Sequence, residues 1–279
     1  MFKKAMLILL LAVFAAGCGS QSSSHKEGQG PTSSSDNASP VRIFSTGAPD
    51  LAGGPEGANR EPNKLTLAQL REKYKSHFIL QGPSSPPRVA LTFDDVPDKY
   101  FTIQVLNVLK EHNVKATFFV VGNRAEAHPD VVKRMVDEGH VLGNHSYTHA
   151  NLPKVNDKKF QQEVNMTQDA VQKITGKTMT MIRPPYGNVS EEQVKWLASQ
   201  GLLIVNWNVD SLDWKGLNAD QVVSNVMSHI GSGAIVLQHA AGGTGEDLTG
   251  TVEALPRIIK QLRDQGIELV TVPVLLGRE

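Results

Sequence analysis

A chain of 279 residues, 40 % apolar and 20 % charged, carries enough material for a sizeable buried core and is not disordered or fibrous as a whole. Its 28 Lys and Arg balance 28 Asp and Glu, so no basic excess marks a nucleic-acid binder and no bulk field gathers a charged substrate. The single cysteine, Cys18, excludes an internal disulfide.

Residues 1–18 open with Lys3 and Lys4, continue through the apolar run AMLILLLAVFAA and end in small residues at Cys18. The run is short for a bilayer span and has the flanks of a signal peptide. Ala15-Ala16-Gly17-Cys18 resembles a bacterial lipobox, with Ala15 where Leu is commoner. The resemblance implies lipidation of Cys18, a membrane anchor through that lipid, and work at the extracytoplasmic face of the bacterial cell membrane. Residues 19–60 are Ser-, Gly- and Pro-rich and read as a disordered tether, since they hold too little apolar surface to offset ordering entropy. In 61–85, Leu67, Leu70, Tyr74 and Phe78 fall at helical spacing and predict a short extra helix, broken by GPSSPP.

From residue 86 to 279 short apolar runs alternate with amphipathic ones. RVALTF, KATFFVV, HVLG, MTMIR, LLIVNWNV, AIVLQ and IELVTV read as strands, separated by six helical stretches. Gly139, Gly176, Gly201 and Gly266 each stand between a helical stretch and the next strand. About seven strands in βα units predict an α/β fold with a parallel sheet, and periodicity alone leaves open whether it is flat or closed into a barrel. Either way, the chemistry belongs in the loops at the carboxyl ends of the strands.

Those loops collect ionisable residues: Asp94 and Asp95, His145 and His149, Arg183 with Tyr186, Asp210, Asp213 and Trp214, then His239. Singly each has a plainer reading, since adjacent acids often cap a turn and a histidine pair is often loop polarity. Together they assemble. Two imidazoles and one carboxylate leave open positions on a zinc-like ion, as hydrolytic sites require. The other aspartate is left as a general base, with Arg183 keeping it ionised. His239 can serve as the acid, its ring held by an aspartate.

TFDD, HSYTH, RPPYG, DSLDW and LQH, in this order across residues 86 to 275, resemble the five motifs of the polysaccharide deacetylases, carbohydrate esterase family four. The resemblance implies a distorted, incomplete (β/α) barrel with a surface groove. It also implies N-deacetylation of a cell-wall or extracellular N-acetylated polysaccharide, peptidoglycan first, by a monomer using a divalent metal, zinc or else cobalt. By position, Asp94 is the implied base, Asp95, His145 and His149 the metal ligands, and Arg183 the residue that orients Asp94. Tyr186 would offer its backbone N–H to the oxyanion, Asp213 would tune His239, and Trp214 and Leu237 would wall the acetyl pocket. Asp210 is expected only to shape its loop.

One departure stands out: the family's usual Gly-Pro after the two aspartates is Val96-Pro97 here. A valine forced to positive φ would be strained, and its bulk is expected beside the metal. That leaves two other classes in view, a glycan-binding lipoprotein with weak turnover and an unrelated zinc hydrolase. Chitin and poly-N-acetylglucosamine are the alternative substrates.

Overall fold

Nine strands form one all-parallel sheet in the computed structural model, which describes residues 46–59 and 64–278. The signal segment, Cys18 and residues 19–45 lie outside the described residues. The strands are β1 (Phe78–Ile79), β2 (Arg88–Val96), β3 (Thr117–Val120), β4 (Val141–Asn144), β5 (Met181–Ile182), β6 (Leu203–Val205), β7 (Val209–Asp210), β8 (Ile235–His239) and β9 (Glu268–Val270). The helices are α1 (Glu56–Asn59), α2 (Lys64–Lys73), α3 (Phe101–Glu111), α4 (Gly122–Ala127), α5 (Pro129–Asp137), α6 (Asp157–Thr175), α7 (Glu191–Ser199), α8 (Ala219–Met227), α9 (Thr249–Asp264) and α10 (Val272–Leu275).

The sheet runs β1-β6-β5-β4-β3-β2-β8-β7, with β9 also paired to β2. LLIVNWNV, expected as one strand, is two: β6 pairs with β5 and β1, whereas β7 pairs with β8. Only Asn206, Trp207 and Asn208 separate β6 from β7, although the two stand near opposite ends of the strand order. Four residue steps reach at most about 14 Å, so the sheet must curl until its ends nearly meet. An antiparallel bridge between Gln81 and Ala234, and a bond from Gly82 N to Gly233 O at 2.8 Å, tie the two ends further. The result is a distorted, incomplete (β/α) barrel of nine strands rather than seven.

Alternation along β2 sorts the core into layers. Val89, Leu91 and Phe93 belong to a cluster with Val105, Leu106 and Leu109 of α3 and with buried residues of α5, α8 and α9. Ala90 joins a separate cluster with Phe119, Val205, Ile235 and Val270 from four other strands. Thr92 and Asp94 continue the side of β2 on which Ala90 lies. A third cluster brings Leu67 and Leu70 of α2 against Phe78, Phe160, Val194 and Leu197. The 61–85 segment is thus no appendage, because its helix covers the barrel and its β1 is an edge of the sheet. Gly139, Gly176, Gly201 and Gly266 all have φ between +71° and +83°, the left-handed turn that frees the chain to enter the next strand.

Part of the expected tether is structured. Residues 46–59 run along the carboxyl ends of the strands, where Lys99 N donates to Thr46 O at 3.3 Å and Ala52 N to Thr148 O at 2.8 Å. Backbone hydrogen bonds hold this stretch, which composition and hydrophobic periodicity do not register.

Candidate active site

The carboxyl end of β2 supplies both aspartates because the strand breaks register there. Pairing with β3 shifts between Phe93 and Val96, and Asp95 takes φ +67°. Asp tolerates the left-handed region better than most side chains. The kink lets adjacent carboxylates serve one site. Val96 does not carry the strain expected of it: it pairs with Val120 and is fully buried in the cluster that holds Phe93 and Val105. Its bulk lies in the core under the helices rather than beside the metal-ligand side chains. Val96→Ala is therefore expected to lower unfolding stability by about 2 kcal/mol through lost burial. The ratio of activities on two glycans should stay at the wild-type value, and chemical denaturation with paired assays checks both.

His145 follows β4, and His149 lies in the loop beyond, where Ser146 has φ +61° and His149 φ +58°. Glu163 of α6, fully buried, fixes this loop: it accepts from the backbone N of Tyr147 at 2.9 Å and Thr148 at 2.7 Å, and from Thr148 Oγ1 at 2.8 Å. His145 Nδ1 donates to the Arg183 carbonyl at 2.6 Å, which leaves the Nε2 lone pair free to face the site. His145 Nε2 and His149 Nε2 lie 3.3 and 3.2 Å from the same atom, Asp95 Oδ1.

The three side chains are 0 to 2 % exposed, and one ligand atom from each falls within 4.8 Å of the others. Neither His149 ring nitrogen nor Asp95 Oδ1 has a hydrogen-bond partner among the described residues. Buried polar atoms left this way are costly unless something else satisfies them. Two imidazole nitrogens and a carboxylate oxygen converging on one point fit a divalent cation. Burial pushes the His149 imidazole down to about 3 and so keeps it in the neutral, ligating form.

Arg183, fully buried, reaches back to Asp94. Its Nη1 donates to Asp94 Oδ1 at 2.7 Å and to Thr92 Oγ1 at 2.8 Å. Nε and Nη2 donate to the carbonyls of Val205 and Asn206 at 2.9 and 3.1 Å, at the step from β6 to β7. The guanidinium thus seals the seam of the barrel while pairing with Asp94. It also lies over the Phe119 ring, 4.1 Å from the centroid.

Across the site, His239 ends β8 in register with Asp94. Asp213 grips it twice, accepting from His239 Nδ1 at 2.7 Å and from its backbone N at 2.8 Å, and takes a third bond from Thr251 Oγ1 at 2.8 Å. Burial alone would lower the His239 pKa, yet Asp213 outweighs it and raises the imidazolium to about 10. Leu237, two residues back, is in register with Thr92, so it shares a side of the sheet with His239 and Asp94. Trp214 follows Asp213 in a short 3-10 turn, and Asp210 accepts from Leu212 N at 2.9 Å, shaping that turn. Tyr186 has φ +61°, sets its ring edge-on to His149 at 4.8 Å and donates through Oη to Gly54 O. The Tyr186 N–H enters no backbone hydrogen bond among the described residues.

Residues without a motif also converge here. Arg124 of α4 is almost fully buried and donates to three carbonyls: Asp95 at 2.9 Å, Gly242 at 2.7 Å and Pro49 at 3.0 Å. Thr92 could have been noticed as the first residue of TFDD, and Glu163 as an acid on the buried face of a helix. Neither Arg124 nor Glu56, which approaches His149, carries any sequence signal.

The family profile described as polysaccharide deacetylase matches residues 81–205. A peptidoglycan-N-acetylglucosamine deacetylase of Bacillus cereus is 46 % identical over 202 residues, 72 % of each chain. PdaC of Bacillus subtilis, a peptidoglycan-N-acetylmuramic acid deacetylase, is 41 % identical over 221 residues, which cover 78 % of this chain but only 45 % of PdaC. A crystal structure of the Bc1960 peptidoglycan N-acetylglucosamine deacetylase superposes with TM-score 0.71 at 44 % identity, covering 75 % of this chain and 95 % of that one. A family pseudoenzyme from Bacillus anthracis also superposes, with TM-score 0.66 at 30 % identity over 72 % of this chain and 69 % of that one.

Proposed function

Because this chain belongs to the polysaccharide deacetylase family of metal-dependent amide hydrolases, we propose that it removes N-acetyl groups from peptidoglycan, with zinc as its metal. Asp95, His145 and His149 would hold the ion, which when bound supplies Lewis acidity at the acetyl carbonyl and at the attacking water. Asp94 takes the water's proton, held in place by the hydrogen bond from Arg183. The Tyr186 N–H donates to the oxygen that gains charge as the carbonyl carbon becomes tetrahedral. His239, kept protonated by Asp213, gives its proton to the sugar nitrogen as the C–N bond breaks, so that acetate and a free amine leave. Trp214 and Leu237 flank the acetyl methyl.

One observation carries this reading. A base–arginine pair and an acid–aspartate pair stand beside the three metal-ligand side chains, on neighbouring strands in register at Asp94 and His239. Since a pseudoenzyme shares the fold, resemblance of scaffold alone cannot argue turnover, whereas this complete set of groups does. Peptidoglycan is preferred because the relatives of Bacillus cereus and Bacillus subtilis act on it. The lipobox-like Cys18 supports a lipid anchor and a place at the extracytoplasmic face of the membrane, beside that substrate; no helix among the described residues is long and apolar enough to cross a membrane.

The test is acetate release by the full chain loaded with zinc, on peptidoglycan and on chitin oligomers in parallel, with Asp94→Asn as the blank. Release from peptidoglycan that falls about 10²-fold or more in Asp94→Asn is expected. Release confined to chitin oligomers would replace the substrate, and none from either would leave a glycan-binding protein.

A further inference from the structure

The mouth of the site is already filled by the chain itself. Residues 46–59 cross it as a strap, held by the loops that carry site residues and by Arg124 of α4. Ala52 N and Gly53 N donate to Thr148 O at 2.8 Å and His149 O at 3.1 Å. Tyr186 Oη donates to Gly54 O at 2.9 Å, and Arg124 Nε to Pro49 O at 3.0 Å. Thr244, five residues beyond His239, donates to Asp50. The fit leaves no room for a side chain at Gly53, where a Cβ would stand 2.1 Å from Tyr186 Oη and 2.5 Å from His149 O. A Cβ at Gly57 would meet the Trp214 ring at 3.3 Å, so the strap also lies on the wall expected for the acetyl pocket.

At the centre of this strap one acid points inward. Glu56, only 5 % exposed, places Oε1 3.7 Å from His149 Nε2, and its carboxylate falls with Asp95 and His239 in a group whose ligand-type atoms lie within 4.8 Å of one another. The Glu56 carboxylate stands beside Asp95 and the His239 ring, and the unsatisfied atoms of Asp95 and His149 mark where a cation fits within its reach. The same place, between those atoms and the His239 ring, is where an acetyl carbonyl must enter for Asp94 and His239 to reach its two sides.

We propose that Glu56 is an internal ligand of the metal centre, carried in by the strap 46–59, and that it competes with the acetyl group of the substrate and with the acetate product. The inference rests on the metal site proposed above. Catalysis then requires the strap to lift, and glycan that displaces it, rather than the anchor, sets the active fraction. No residue of the strap belongs to a hydrophobic cluster, and a segment held by hydrogen bonds and one buried acid is built to be exchanged.

Cobalt(II) and acetate are the probes, used with the full chain. Uptake of cobalt by wild type and its loss in Asp95→Asn tests the metal site alone. If the strap leaves the site open a tenth of the time, acetate binds the cobalt protein about tenfold more weakly than it binds an open site. Glu56→Gln should therefore bind acetate about tenfold more tightly, followed by the visible spectrum of the bound cobalt, while holding cobalt itself about tenfold less tightly. Gly53→Ala lifts the strap without touching the carboxylate and should tighten acetate in the same way. Acetate affinity unchanged in both variants overturns the proposal. Failure of wild type to take up cobalt overturns the metal site, and the proposal with it.

Discussion

His239→Ala is expected to cut turnover by about 10²–10⁴-fold, the usual worth of a positioned general acid, while the protein binds a divalent metal with unchanged stoichiometry. An amine anion is a very poor leaving group, so the C–N bond does not break until the nitrogen is protonated. His239 is the proton donor whose pKa the site raises to about 10, because the charge of Asp213 and the hydrogen bond its carboxylate accepts from the ring outweigh burial. The same pair fixes the sign of the pH dependence. A general acid works below its pKa, so activity should fall on the alkaline side as His239 loses its proton. Asp213→Asn removes the charge that raises that pKa, and the alkaline limb must then move to lower pH. Turnover of His239→Ala within threefold of wild type would remove this residue from the reaction, and an unmoved limb in Asp213→Asn would separate the aspartate from it.

Arg183→Met is expected to cost about 3–5 kcal/mol of stability, the range for removing one partner of a buried ion pair, and to abolish acetate release as well. Methionine fills much of the space but donates nothing. Asp94 would keep a buried negative charge without its cation, and Thr92, Val205 and Asn206 would each lose a donor. Denaturant unfolding gives the first quantity and the acetate assay the second. A stable but inactive variant would mean that Arg183 serves Asp94 alone and not the seam of the barrel.

The parts of this fold that sequence conveys are those fixed locally. Apolar runs of strand length, helices of the right period and glycines at their ends all follow from backbone preferences, so the βα repeat could be read directly. What fails is set by distant partners. LLIVNWNV has no glycine or proline to mark a break, and only the closing of the barrel divides it between β6 and β7. β1 and β5 are two residues each and exist because neighbouring strands accept them. The site shows the same division. Its ionisable residues stand at strand ends and in motifs, and the structure gathers Asp94, Asp95, His145, His149, Arg183, Asp213 and His239 at one end of the barrel. Comparison with the usual glycine predicts strain at Val96, whereas the positive φ falls on Asp95, a residue type that accepts it. Glu56 and Arg124 were invisible, one in a segment without periodicity and the other an arginine on a helix like any exposed one.

The placement of β2 governs when this protein can first hold its metal. β2 carries Asp94 and Asp95 but is flanked by β3, β8 and β9, and its first residue is 180 positions from its partner in β9, Glu268. Loop closure over such a distance must precede any gain from the contacts it permits, which makes topologies of this kind slow to form. A chain emerging from a ribosome or a translocation pore exposes the aspartates long before the strands that frame them. His145 and His149 arrive midway, but the scaffold that brings their nitrogens onto Asp95 is finished only when residue 270 is free. Metal loading is thus expected late in folding, after the last strands have closed on β2.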